Sequence, residues 1–321
     1  MTRLFEENPD PDEERDEVAR EVLRLDPTGE RWAAIVRHTY DMLYNGAETG
    51  RYRWDQLAKT EKTHFGTILE INAQRAFQFA DGEKLDFEIA GHDVDAKWSQ
   101  DDGKWMLPPE ILNGLALVAT GSDASAKFSL GVARIRPEYL SAGAGNRDKK
   151  LTLSAFGRTQ VKWIWRNRQF PQSVLLQLPR DEVDYIFDHN WGSERVNRLF
   201  RAAEGLPVHR STVRTVAMQL DDQKRIRRNG GARSALAPEG FLILSGKYHA
   251  HLVQAFGFPP LSALQYLSVR VAPSEDPANG VLIRGRRWRR AGPGETLMEP
   301  APYLPERGVR ESKDTRINNR V

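Results

Sequence analysis

Two carboxylates and a lysine, Asp86, Asp95 and Lys97, fall inside the stretch LDFEIAGHDVDAKWS, residues 85–99. Its alternation of apolar and polar residues reads as two strands, 84–90 and 93–99, joined by a turn at AGHD. Residues two apart on a strand share a face, so Asp95 and Lys97 point one way. Val94, Ala96 and Trp98 point the other way, into a core. Asp86, on the preceding strand, is expected near the same edge. Two carboxylates held close repel unless a cation lies between them, and hard oxygen ligands with open positions suit Mg²⁺. A lysine beside them can hold a water and stabilise charge on an attacked phosphate. Metal, water and cation together form a kit for phosphodiester hydrolysis. The plain alternative for D-x-K is a surface ion pair of little consequence.

A third acid belongs to the element before the hairpin. Residues 60–80, TEKTHFGTILEINAQRAFQFA, read as one long helix with Ile68, Leu69, Ile71, Ala76 and Phe77 toward the core. Glu70 on that helix has Gly66, Thr67, Ala73 and Gln74 as same-face neighbours, all small or polar. On that thin face it could approach both the hairpin and a bulky ligand; otherwise it is an ordinary exposed helix acid.

The elements around this set read as mixed α/β. Helices are expected at 12–25 and 29–45, the second with Trp32, Ile35, Val36, Tyr40 and Leu43 at helical spacing and Gly46 as its stop. Further strands are expected at 126–135 and 151–154, and PPEILNGLALVATG as a short helix with strand-like flanks. The polar segment RNRQFPQS, 166–173, reads as a linker between domains at 1–165 and 174–321. Beyond it the pattern is mainly helical, at 180–190, 194–204, 209–220 and 247–256, with a last strand at 264–272. From about 290 the chain turns rich in Pro, Gly and charge, and a loosely packed tail is expected.

Composition narrows the chemistry. The 321 residues include no cysteine, which excludes disulfides, thiolate zinc sites and cysteine nucleophiles and suits a reducing cytoplasm. No apolar run approaches the roughly 20 residues of a membrane-spanning helix, and the acidic start is no secretory signal. His64, His92, His249 and His251 lack the partners of a metal site. Net charge is only +3, but unevenly placed. The first 17 residues carry eight acids against two arginines, while residues 134–170 carry nine Lys/Arg against Glu138 and Asp148. A second basic run, RGRRWRR, lies at 284–290. Basic stripes interleaved with aromatics suit a polyanion such as nucleic acid.

An acid on a helix, then Asp86, then D-x-K resembles the core of the PD-(D/E)xK nucleases, with Leu85 where that motif often carries proline. The wider text narrows the resemblance. RLDPTGERW (24–32), GRYRWDQL (50–57), KTEKTHFGT (59–67), LEINAQRAFQFADG (69–82) and DVDAKWSQ (93–100) together resemble the NaeI type of restriction endonuclease. That resemblance implies Glu70, Asp86 and Asp95 as acids around Mg²⁺ and Lys97 as the cation that orients water. It also implies a homodimer that cuts the palindrome GCCGGC to blunt ends in the cytoplasm, beside a cognate DNA methyltransferase. The segment LYNG, 43–46, is similar to the KYDG motif of DNA ligases, with Leu43 in place of the nucleophilic lysine. Leucine cannot form a phosphoramidate, so ligation is not expected. In the family this position bears on the balance of cutting and rejoining.

In the second half, RVNRLFRAAEGLPVHRSTVRTVAMQL (195–220) reads as helix, turn, helix. Arg210, Ser211, Thr212 and Arg214 are its candidate DNA contacts, or else solvated residues of a plain helical hairpin. The resemblance implies a catabolite-activator-like domain here that binds a second copy of the DNA site and activates cleavage. RRNGGARSALAPEGF, 227–241, reads as a flexible basic loop. Two rival readings remain open: a DNA-binding regulator with an inactive nuclease domain, and a repair or structure-specific nuclease.

Overall fold

The computed structural model describes residues 9–142, 149–276 and 279–304. Its contacts sort into two units: residues up to 44 with 53–172, and residues 45–52 with 173 onward. Glu6 and Glu7 of the acidic start, Arg147 and Asp148 of the basic stretch, and the tail from 305 lie outside the described residues.

In the first unit, α1 (Glu13–Leu25) starts where the Asp12 side chain accepts from the Arg15 amide, and it buries Val18, Ala19 and Val22. Next, α2 (Glu30–Tyr44) buries Trp32, Ile35, Val36, Tyr40 and Leu43. A single turn, α3 (Gly46–Thr49), belongs to the second unit. The helix expected over 60–80 is two helices, α4 (Lys59–Thr63) and α5 (Phe65–Phe77). The break at His64 precedes Phe65, which is fully buried among Tyr40, Trp54 and Trp98. At the other end Gln78 takes a left-handed conformation, φ +58°, and ends α5. That frees Phe79 to stack between Phe77 and Phe87.

A six-stranded sheet follows in spatial order β1 (Ala80–Asp81), β2 (Phe87–Ile89), β3 (His92–Ser99), β4 (Leu115–Ser122), β5 (Lys127–Arg134) and β6 (Lys162–Gln169), with α6 (Ala155–Thr159) ahead of β6. All neighbours are antiparallel except β3 and β4. A parallel pair needs a crossover of a dozen or more residues, which residues 100–114 supply. The expected helix in PPEILNGLALVATG shrinks to one 3-10 turn, Pro109–Ile111, and its second half is β4. Leu115 to Thr120 are all buried, as in a strand covered on both faces. One face carries α1, α2 and α5, and the other carries Trp105, Ile111, Tyr139 and Val161. The strand expected at 151–154 is only two isolated bridges, Leu107 to Leu151 and Leu140 to Leu153. Nor is 166–173 a free linker, since β6 runs through Gln169. Its polar residues mark an exposed sheet edge, and two register shifts against β5 break the alternation.

The second unit is largely helical, with a small sheet. Its elements are α7 (Arg180–Phe187), α8 (Gly192–Ala202), β7 (Pro207–His209), α9 (Arg210–Ala217), α10 (Asp222–Ile226), α11 (Ala232–Leu236), β8 (Phe241–Ser245), α12 (Ala250–Ala255), β9 (Gln265–Pro273), β10 (Val281–Ile283) and β11 (Arg286–Arg290). Strands β7, β8 and β11 all pair with β9, and β10 pairs with β11. Between α8 and α9 the chain is not a bare turn, because β7 pairs there with β9. The segment 227–241, read as a flexible loop, holds α11 and a 3-10 turn. The tail is packed as far as 304: Ala301 and Leu304 are buried, and the Ala301 amide donates to the Ala237 carbonyl at 2.8 Å. Among the described residues no helix is long and apolar enough to cross a membrane.

Candidate active site

The tight turn Ala90–Gly91, with φ of +54° and +80°, joins β2 to β3. Only residues 92–94 of β3 pair with β2, while 94–99 continue along β4. Beyond Val94 the outer edge of β3 is therefore released from β2. Asp86, just ahead of β2, takes the place of the lost ladder: its Oδ2 accepts from the Ala96 amide at 2.7 Å. Asp93, which the sequence reading passed over, holds the loop that carries Asp86. Its carboxylate accepts from the Lys84 and Leu85 amides at 3.0 and 3.3 Å. A side chain at Gly82 would strike Asp93 Oδ1 and the Leu85 carbonyl, so the loop closes only over glycine. No signal in the sequence separates Asp93 from Asp95, because both lie on the same strand face.

On the freed edge, Asp95 is buried and its carboxylate lies directly against the Lys97 ammonium. That ammonium also donates to the Ala96 carbonyl at 3.2 Å. Burial pushes the Asp95 carboxyl up from 3.8 to about 6; Lys97 opposes the rise and Asp86 adds to it. Glu70 on α5 is half-buried. Burial raises its carboxyl as well, and Asp86 and Asp95 add repulsion while Lys97 relieves it. A small cavity of about 10 Å³ between α5 and β3 is lined by Glu70, Ala96 and Lys97 among others, which approaches the space of one water. The fold thus gathers Glu70, Asp86, Asp95 and Lys97 into one electrostatic group. Two acids with raised affinity for protons are short of positive charge, and all three acids offer hard oxygen. This donor set suits Mg²⁺, which keeps several waters and takes only one or two protein carboxylates. Among the described residues no three His, Asp or Glu side chains stand together as a ready metal cage.

The other candidates lie elsewhere. Leu43 is buried in the core over the sheet. In the second unit, Thr212 is buried, Ser211 bonds the His209 ring at 2.7 Å, and Arg210 and Arg214 both reach Asp222. The basic stretch 134–170 is partly neutralised by the acidic start, since Arg134 pairs with Asp12 and Glu14, and Arg136 with Asp12. In RGRRWRR, Arg286 pairs with Glu299 and Arg289 with Glu295, while Trp288 enters the core. These runs are therefore weaker polyanion footprints than their composition suggests.

A mixed sheet whose third strand carries D-x-K on a freed edge, with one acid from the preceding loop and one from a helix, defines a nuclease of the PD-(D/E)xK kind. The family model for the restriction endonuclease NaeI matches residues 16–299. The type II restriction enzyme NaeI of Lentzea aerocolonigenes is 41% identical over 319 residues, covering 96% of this chain and 100% of that protein. The chain belongs to the NaeI family of type II restriction endonucleases.

Proposed function

We propose that this nuclease hydrolyses both strands of the DNA palindrome GCCGGC to blunt ends, as a Mg²⁺-dependent homodimer in the cytoplasm. The observation that carries the chemistry is the released edge of β3, where Asp86, Asp95 and Lys97 meet beside Glu70. Asp86, Asp95 and the Ala96 carbonyl are the groups that would hold the metal, with Glu70 completing the set directly or through water. Bound there, Mg²⁺ supplies Lewis-acid stabilisation of charge on the phosphate oxygens. Lys97 leaves Asp95 to orient the attacking water and then faces the charge that develops on the phosphate. The Ala96 amide keeps Asp86 in place during this exchange. Dimerisation matches the two-fold symmetry of a palindrome. The site sequence, the blunt ends and a partner methyltransferase follow from the family resemblance.

The second unit is proposed to bind another copy of the site and to activate cleavage. Plasmid digestion tests the whole reading: discrete fragments that need Mg²⁺, vanish in Asp95→Ala and increase when a short duplex carrying the site is added in trans. Cleavage without discrete fragments would refute the site-specific reading, and indifference to the added duplex would refute the effector role.

A further inference from the structure

Between α9 and α11 the second unit concentrates positive charge. Residues 210–233 contain Arg210, Arg214, Lys224, Arg225, Arg227, Arg228 and Arg233 against Asp221 and Asp222. Asp221 caps α10 through the Lys224 amide. Asp222 does something different. It is 1% exposed, and one of its oxygens, Oδ1, accepts from both Arg210 Nη2 and Arg214 Nε, each at 2.9 Å. Its other oxygen accepts from the Tyr266 hydroxyl at 3.2 Å. Burial and the adjacent Asp222 push the Tyr266 phenol up to about 12, so it remains a donor.

Arg210 and Arg214 are four residues apart, hence neighbours on one helix face. The other face of α9, with Thr212, Val213 and Val216, is buried. Two guanidinium groups thus share one carboxylate oxygen, while each side chain keeps about a third of its surface exposed, 31% and 34%. The charges do not balance: two cations meet one anion. The donors do not balance either, because Arg210 Nε is buried and has no hydrogen-bond partner. A further anion at the exposed parts of the two guanidinium groups would balance the charge.

We infer that Asp222 is a positioning residue that locks Arg210 and Arg214 into a paired clamp for a DNA backbone phosphate. The clamp deepens the proposed role of the second unit and rests on it. A planar guanidinium fixed on one edge keeps its outer N–H groups for a phosphate. The ordering is then complete before DNA arrives, so binding loses less conformational freedom.

The test is duplex binding by the full chain in EDTA, which prevents cleavage, over a series of salt concentrations. The probe is a short labelled duplex carrying the proposed site. Arg210→Ala and Arg214→Ala should each weaken binding and reduce the slope of log K against log salt by about 1. Asp222→Asn should weaken binding about tenfold with an unchanged slope, because the cations remain but are no longer held. Tighter or unaltered binding by Asp222→Asn would overturn the clamp, since Asp222 would then only compete with phosphate or fill the core. If Asp222→Asn does not melt cooperatively, Arg214→Lys decides. It keeps the charge and loses the fork, so weaker binding at constant slope supports the clamp and wild-type binding overturns it. Wild-type affinity and slope in both alanine variants would instead remove α9 from the DNA interface altogether.

Discussion

Asp95 carries the chemical tension of the site. A buried carboxylate resists ionisation, and its carboxyl lies near 6 although Lys97 is against it. An acid whose folded value exceeds its ordinary 3.8 binds more protons folded than unfolded between those two values. Stability of the metal-free protein should therefore fall as pH rises through this window and level off above it. In Asp95→Asn that decline should vanish, so melts of the two proteins diverge from about pH 4 to about pH 6 and run parallel above. A wild-type melting curve without this step would refute the buried-acid description. With Lys97 proposed to orient the attacking water, Lys97→Ala should cut at least about 10²-fold more slowly in single-turnover assays. At this scale the types and order of Glu70, Asp86, Asp95 and Lys97 single them out in the sequence, and the fold brings them into one electrostatic group. Asp93 was not legible, because its contribution is two hydrogen bonds to a loop whose shape no periodicity encodes.

Elements carry the second kind of information. Amphipathic helices such as α1 and α2 could be read because their apolar residues recur at helical spacing. The long helix over 60–80 was misread because a break at His64 leaves that periodicity intact on both sides. Strand β4 is legible only as a strand-like flank, because it is buried on both faces, is continuously apolar and has no alternation to report. Only the second half of β6, 166–169, falls in the segment that reads as a linker, because bulges and an exposed edge erase the alternation there. Two predictions belong here. Asp12 caps α1 and holds Arg134, which keeps its carboxyl below the ordinary 3.8. Asp12→Ala should cost roughly 2 kcal/mol, the upper end for a cap, in denaturant titrations at neutral pH. That cost is full above the ordinary value and should shrink as pH falls below it, because the depressed carboxyl is then neutralised in the wild type as well. In the second unit, a Cβ at Gly46 would lie 2.1 Å from Thr215 Oγ1. Gly46→Ala should therefore push α3 off α9 and destabilise by roughly 1–3 kcal/mol; unchanged stability would mean that this contact is not close in solution.

Across the described residues, each unit is built on its own core. Val18, Trp32, Phe65 and Leu130 belong to the unit that carries the acids and Lys97, whereas Val196, Leu199, Phe200 and Val213 belong to the unit that carries Arg210 and Arg214. Neither the small second sheet nor the assignment of residues 45–52 to the second unit was visible in composition, because both depend on contacts between residues distant in sequence. The division does make a prediction that sequence alone could not frame. Leu199 is fully buried in the second unit, and Leu199→Ala should weaken that unit by roughly 2–5 kcal/mol. Glu70, Asp86 and Asp95 keep their own core, so the variant should still cut site-bearing plasmid with Mg²⁺. Its stimulation by a duplex added in trans should fall, most steeply near the temperature at which the weakened unit melts. Calorimetry on the same sample identifies that temperature as a transition shifted down while another stays in place. If basal cutting and stimulation decline together at every temperature, catalysis depends on the second unit's integrity, and the separation of cutting from activation fails.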